Sequence, residues 1–279
     1  MIRNAVTIDV EDWYHVCGVG EIPPIHHDRF RVAVATRRVL SLLDEFGIKA
    51  TFFVLGKVAE AEPALIEQVA AGGHEIASHG WSHSLVHDLT PDQFREELER
   101  TELQLEKLTG VRPVGFRAPQ WSVSPRTSWV HGILAERGYR YDSSITPLAL
   151  IGDPEGSRVP YRVPTSGGPV WEFPPLVTPT RFGNLPTGGG WGFRFFPTRI
   201  IEGTLKRLNA AGHPGVLYLH PRDADPLGPR LRLSPLMRFA AYGLRNDALP
   251  RLRRLLEAFR FTTLKELVAD DVLYPDPVL

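Results

Sequence analysis

The chain has 279 residues, 43% of them hydrophobic and 23% charged, which is enough apolar material for one large domain or two small ones. Lys+Arg and Asp+Glu both total 32, so no excess of either sign points to nucleic acid or to an acidic partner. The single cysteine, Cys17, excludes an intramolecular disulfide, and no apolar run reaches the length of a membrane-spanning helix.

Residues 5–10, Ala-Val-Thr-Ile-Asp-Val, read as a buried parallel strand whose C-terminal end delivers Asp9, Glu11 and Asp12. Three carboxylates that close repel one another unless a cation or a proton holds them. Residues 36–46 have helical spacing and stop at Gly47; 49–55 form the next strand; 63–71 predict a helix opening on proline. A short strand at 74–78 then delivers His79, with His83 four residues on. Two such histidines plus distant carboxylates are the parts of a divalent-metal site. The zinc-protease signature is excluded, because Gly80 rather than Glu follows the first histidine.

A long amphipathic helix starts at Thr90 and ends at Gly110, and a strand at 113–116 runs into Arg117-Ala118-Pro119-Gln120-Trp121. Residues 129–136 are helical and 139–144 strand-like; 200–208 are helical, and the strand at 215–219 delivers His220. The helix at 249–259 carries Arg251, Arg253 and Arg254 outward, a solvated face first and a contact for anionic lipid second. Residues 261–264 close the core, and the chain from Asp270 is a loose tail.

Strand and helix alternate, and unusual polar residues keep falling after strands, which is the α/β pattern of a (β/α) barrel with its chemistry at the C-terminal rim. The rhythm breaks over 147–197, where Pro and Gly are dense. Gly188 to Phe193 (Gly-Gly-Gly-Trp-Gly-Phe) reads as an exposed, adaptable loop, either a plain linker or a sugar-stacking lip. It matches neither a phosphate-binding nor a dinucleotide-binding glycine pattern. Nothing divides residues 1–279 into two domains. The first residues run straight into a strand without a basic-then-apolar leader, which predicts a cytoplasmic protein.

Five segments in order resemble the polysaccharide deacetylases of the NodB-homology type, the family-four carbohydrate esterases. They are Thr7-Ile8-Asp9-Val10-Glu11-Asp12, His79-Gly80-Trp81-Ser82-His83, Phe116-Arg117-Ala118-Pro119, Tyr141-Asp142-Ser143-Ser144 and Leu217-Tyr218-Leu219-His220. The fourth lacks the usual Asp-x-x-Asp-Trp form. The Asp-Val-Glu-Asp start, the Gly-Gly-Gly segment, Leu-His-Pro and the Phe-Arg-Phe-Thr-Thr-Leu of 259–264 resemble the exosortase- and exopolysaccharide-associated branch. The resemblance implies one distorted (β/α)7 barrel over the whole chain, with 147–197 as an insertion and a family-specific C-terminal part. Two departures stand out: Val10 separates Asp9 from Glu11 and Asp12, and Gln120 replaces the usual aromatic after Pro119.

The implied reaction is hydrolysis of N-acetyl groups from amino sugars of a poly- or oligosaccharide. The implied cofactor is Zn2+, with Co2+, Ni2+ or Mn2+ as alternatives, held by His79, His83 and either Asp12 or Glu11. Strand alternation puts Glu11 on the face of Asp9. Asp9 is implied as general base, Arg117 as the group that aims it, and His220 as the acid for the leaving amine, with Asp142 or Glu172 tuning it. The Gln120 N–H is implied as an oxyanion donor, and Leu219 and Trp121 as the wall for the acetyl methyl; His87 is a candidate outer partner of the metal ligands. The same barrel serves cyclic-imide and allantoin-like amide hydrolysis, and a silent carbohydrate-binding homologue is the non-enzymatic alternative. The expected partner is a carbohydrate, a lipid-linked precursor at the inner face of the membrane among them.

Overall fold

The structure, a computed structural model, describes residues 2–16, 26–149, 151–243 and 247–269; Cys17 and the tail from residue 270 lie outside them. Among the described residues eleven strands follow in order: β1 (Arg3–Val10), β2 (Thr51–Val54), β3 (Glu75–Ser78), β4 (Gly115–Phe116), β5 (Tyr141–Asp142), β6 (Tyr161–Val163), β7 (Val170–Glu172), β8 (Thr178–Thr180), β9 (Gly183–Leu185), β10 (Val216–Leu219) and β11 (Arg260–Thr262). The main sheet has the order β10-β1-β2-β3-β4-β5-β7-β6, with β11 also paired to β1. All its pairs are parallel except β6 with β7. The helices are α1 (Val32–Glu45), α2 (Gly56–Ala61), α3 (Pro63–Ala71), α4 (Pro91–Thr109), α5 (Trp129–Glu136), α6 (Gly190–Phe195), α7 (Thr198–Ala210), α8 (Pro235–Tyr242), α9 (Leu249–Ala258) and α10 (Leu264–Ala269).

The gap between β7 and β10 is closed by irregular chain. Phe173 N–H donates to Asp142 O, Leu176 N–H to Val216 O, and Tyr218 N–H to Gly188 O, so residues 173–190 bridge β7 to β10. Here the structure corrects the reading of Gly188 to Phe193 as an exposed loop: Thr187, Gly188 and Gly189 are buried, and α6 begins at Gly190. The glycines are there for close approach. A Cβ on Gly188 would stand 2.4 Å from Leu176 O, and one on Gly189 2.2 Å from Tyr218 O. Any larger residue would push the closing segment off the barrel.

Strand alternation sorts the core into two layers. Val6, Ile8 and Val10 of β1, with Leu217 and Leu219 of β10, face the helices and pack with Val39, Leu43, Leu252 and Leu255. The inward set starts with Ala5 and is joined by Phe53, Ala77, Tyr141, Phe173, Leu264 and Leu267, which plug the lower lumen. Each fully buried Phe or Leu among them contributes roughly 1.5–3 kcal/mol. Above that plug the inward positions of β1 turn polar, Thr7 and then Asp9, and that step opens the site.

The basic face of α9 is spoken for within the chain. Arg253 pairs with Glu45 and Arg254 with Glu202, while Arg251 donates to the carbonyls of Phe193 and Phe196. Among the described residues no helix is long and apolar enough to cross a membrane.

Candidate active site

The C-terminal ends of β1, β3, β4 and β10 meet at one rim. Glu11, just past β1, is buried, and its Oε1 lies 3.1 Å from His79 Nε2 and 2.9 Å from His83 Nε2. The other oxygen, Oε2, accepts from Arg222 Nη1 at 2.8 Å. Burial alone would raise the Glu11 pKa. The charges of His83 and His220, with hydrogen bonds from His79 and His83, hold it well below the usual carboxylate range. Burial likewise disfavours a charge on His79, yet its bond to Glu11 and the charge of Asp9 raise it overall.

The donor set fits a divalent cation. His79 Nδ1 donates to Arg117 O at 2.7 Å, so the ring presents only Nε2 to Glu11. A ring lone pair facing a carboxylate oxygen at that range is stable only with positive charge between them, supplied by a proton or a metal. Two imidazole nitrogens and one carboxylate oxygen, all within 4.8 Å of one another, are the N/N/O set zinc takes when it keeps an open position. The carbonyl behind His79 is the kind of second contact that fixes a ligand tautomer.

Asp12 goes elsewhere. Its Oδ1 accepts from the N–H groups of Trp13 and Arg31, and its Oδ2 from those of Arg31 and Val32. It caps the N-terminus of α1, where a carboxylate complements both the free N–H groups and the helix dipole. Of the two acids between which the sequence left the metal carboxylate open, Glu11 is the one that meets the histidines, while Asp12 turns away to α1.

Asp9 sits beside that group. Its Oδ1 accepts from Arg117 Nη1 at 2.6 Å, and its Oδ2 lies 3.9 Å from His220 Nε2. Arg117 is fully buried and fixed on every side. It donates to Thr7 Oγ1, Ser143 O and Ser143 Oγ, and its guanidinium lies 4.1 Å from the Phe53 ring centre and 5.0 Å from that of Trp121. A guanidinium fork held this way presents one preset edge to Asp9.

His220 is placed by its successors. Asp223 Oδ2 accepts from the His220 backbone N–H at 2.9 Å and lies 3.4 Å from His220 Nδ1. Asp142 and Glu172 do not reach His220. Their free oxygens, Oδ2 and Oε2, converge instead on His131 Nε2 of α5, at 3.2 and 3.6 Å. Both lie on the helix-facing side of their strands, against α5, whereas His220 stands at the rim. Leu219 is also corrected. It is buried in the helix-side core, and alternation gives its expected place at the site to Tyr218, whose ring meets Trp121 edge-on at 5.0 Å.

The geometry of the connecting chain is unusual here. His83, Gln120 and Trp121 are the non-glycine residues with positive φ among those described (71°, 54° and 57°), and all three stand at this rim. Such conformations cost on the order of 1–3 kcal/mol each and persist only where the surroundings enforce them. Gln120 and Trp121 line a cavity of about 600 Å3 together with Asp9, Glu11, Arg117, Tyr218 and His220. His87 is away from it, half-exposed and 3.9 Å from Asp88.

Sequence reasoning passed over His15, Arg222 and Asp223. His15 Nδ1 accepts the Asp12 N–H, and burial with the neighbouring His83 charge takes its pKa down to about 3, so it is a neutral ring beside His83. Arg222 and Asp223 had a visible signal, two charges directly after a strand ending in His-Pro.

A family model described as "Polysaccharide deacetylase" matches residues 28–141, and one described as "Domain of unknown function (DUF3473)" matches 143–269. "Peptidoglycan deacetylase-like protein FGM2" of Gibberella zeae is 36% identical over 119 residues, 42% of this chain and 34% of that protein. This chain spans half or less of the length of the curated relatives it matches first. Among solved structures, a Mycobacterium smegmatis protein assigned to the polysaccharide deacetylases is 25% identical with a TM-score of 0.63, covering 88% of this chain and 80% of that one. PuuE allantoinase shares the fold at 19% identity and a TM-score of 0.67, covering 96% of this chain and 89% of that one.

Proposed function

We propose, from the match of residues 28–141 to the polysaccharide deacetylase family model, that this chain is a metal-dependent hydrolase of N-acetyl groups on amino sugars. The observation that carries the reading is one juxtaposition: Glu11 Oε1 against the Nε2 atoms of His79 and His83, with Asp9, Arg117 and His220 at the same end of one cavity. Resemblance of the Asp-Val-Glu-Asp, Leu-His-Pro and Phe-Arg-Phe-Thr-Thr-Leu segments to the exopolysaccharide-associated branch supports an exopolysaccharide or its precursor as the glycan.

A divalent cation held by His79, His83 and Glu11, most simply Zn2+ and alternatively Co2+, Ni2+ or Mn2+, would polarise the acyl carbonyl and make water a nucleophile near neutral pH. Asp9 accepts the proton of the attacking water, and Arg117 holds that carboxylate in its aim. His220, oriented by Asp223, gives a proton to the departing amine nitrogen, which C–N cleavage requires. The Gln120 N–H serves the developing oxyanion, and Trp121 with Tyr218 walls the acetyl methyl. Products are acetate and the free amine.

Acetate release from N-acetylated chitooligosaccharides, followed with and without a chelator, tests the reading. Metal-restored turnover is expected. Turnover of allantoin alone would transfer the site to the other hydrolase chemistry of this barrel, and tight sugar binding without turnover would make it a binding protein.

A further inference from the structure

The cavity above the site has an unusual lining for a carbohydrate groove. Beyond the polar end, its walls are Leu148, Ile151, Pro186, Trp191, Met237 and Ala241, drawn from the 147–197 segment and from α8. The polar side chains among them are engaged within the chain. Asn184 Nδ2 donates to Pro147 O, and Arg194 donates to Gly190 O and Tyr242 O while pairing with Asp223. A saccharide laid along these walls would bury hydroxyls against carbon, at a cost of a few kcal/mol for each one left unpaired. An alkyl chain would not. The apolar surface also continues outward: Trp191 packs against Phe195 and Phe239, with ring centres 6.1 and 5.7 Å away, and those two phenylalanines are 44% and 43% exposed. At about 600 Å3 the space is that of a small-molecule site rather than a packing defect.

We propose that the substrate is amphiphilic: an N-acyl amino sugar carrying an aliphatic chain, with the amide at Asp9 and His220 and the chain along Ile151, Met237 and Trp191. This deepens the deacetylase reading and rests on it for the amide end alone. The chain is attached either to the anomeric oxygen, as in a lipid-linked sugar, or to the amide as a long acyl group.

The test uses the full metal-loaded chain and three ligands below their micelle concentrations: methyl and octyl N-acetyl-β-D-glucosaminide, and N-octanoyl-glucosamine. Calorimetry reads binding, and release of acetate or octanoate reads turnover. One octyl compound should bind at least about thirtyfold more tightly than the methyl glycoside, and which of the two does so locates the chain. Met237→Gln and the surface change Ile151→Gln should each pull that ratio down severalfold. Equal binding of all three ligands would overturn the inference, and would leave the deacetylase reading intact if chitooligosaccharides are still turned over. Tight octyl binding with no hydrolysis of any amide would do the reverse.

Discussion

This barrel holds two groups of imidazole and carboxylate, and their surroundings set them apart. Glu11, His79 and His83 join at the rim, where Glu11 lines the cavity and His83 keeps 11% of its side chain exposed. His131, Asp142 and Glu172 are sealed, at 5%, 0% and 0% exposure. The rim group shares one carboxylate between two rings and leaves its second oxygen to Arg222. The sealed group sets one ring against two carboxylates, whose other oxygens accept from Ser143 N–H, Ser144 N–H, the Ser144 hydroxyl and Ile145 N–H. Ser143 and Ser144 in turn hold Arg117 and the Ala118 N–H. The comparison teaches that similar ligand types stand open to a ligand at the rim and serve positioning where none can enter.

The largest effect expected is on the rim. Glu11→Gln should remove the bound metal and lower acetate release on the order of 10³-fold, since the several kcal/mol that a metal supplies are lost together. Metal content by mass spectrometry and kinetics on the same preparation check this. A variant with full metal and full activity would break the distinction drawn above.

His131→Gln breaks the sealed group. It should cost roughly 3 kcal/mol of unfolding free energy, because two buried carboxylates lose their cation, while metal content at the rim is kept. Burial lowers the His131 pKa, but Asp142 and Glu172 outweigh it and push it up to about 10. A histidine whose pKa is raised on folding gives stability fully present below its unfolded value of about 6.5 and lost as pH rises through about 10. Glu172, raised to about 7 mainly by burial and by Asp142, acts in the same direction but has lost its contribution once pH passes about 7. The wild-type melting temperature should therefore fall from pH 6.5 to 10, and the gap to His131→Gln should close over that interval. A gap that stays constant would show that His131 is not the charged partner.

Arg222→Met probes the outer contact to Glu11. It should weaken metal affinity roughly 10–100-fold with little change in melting temperature, measured by competition with a chromophoric chelator. The smallest effect is reserved for Asp12→Ala. Loss of the cap on α1 should cost about 1–2 kcal/mol and leave metal affinity unchanged, whereas a variant that lost its metal would return Asp12 to the ligand set.

Much of this was legible from residue order. The strand of Asp9 follows from its β-branched run, those before His79, Arg117 and His220 from short segments between helices, and their common rim from strand-helix alternation. Glu11 against Asp12 needed the path of the chain after Val10, because alternation ends where the strand does and Asp12 turns to meet Arg31 N–H. Leu219 was misplaced for the opposite reason: the periodicity was available and gives Tyr218 the inward position. The partner of His220 was hidden because Asp223 acts from the next turn, while Asp142 and Glu172 are claimed by a histidine on α5 that no spacing links to them. The closing segment 173–190 was unreadable, since its register comes from glycine contacts with Leu176 and Tyr218 rather than from any period of its own.

The placement of β1 has a consequence for how the molecule is made. One of its edges pairs with β2 and, below it, with β11 down to Arg3 beside Arg260, but the other pairs with β10. During synthesis that edge stays unsatisfied until almost all of the chain has left the ribosome, and loops of such length close slowly. The acids that strand 1 carries cannot meet Arg222 or His220 before then, so a polypeptide cut short anywhere ahead of residue 220 cannot assemble this rim.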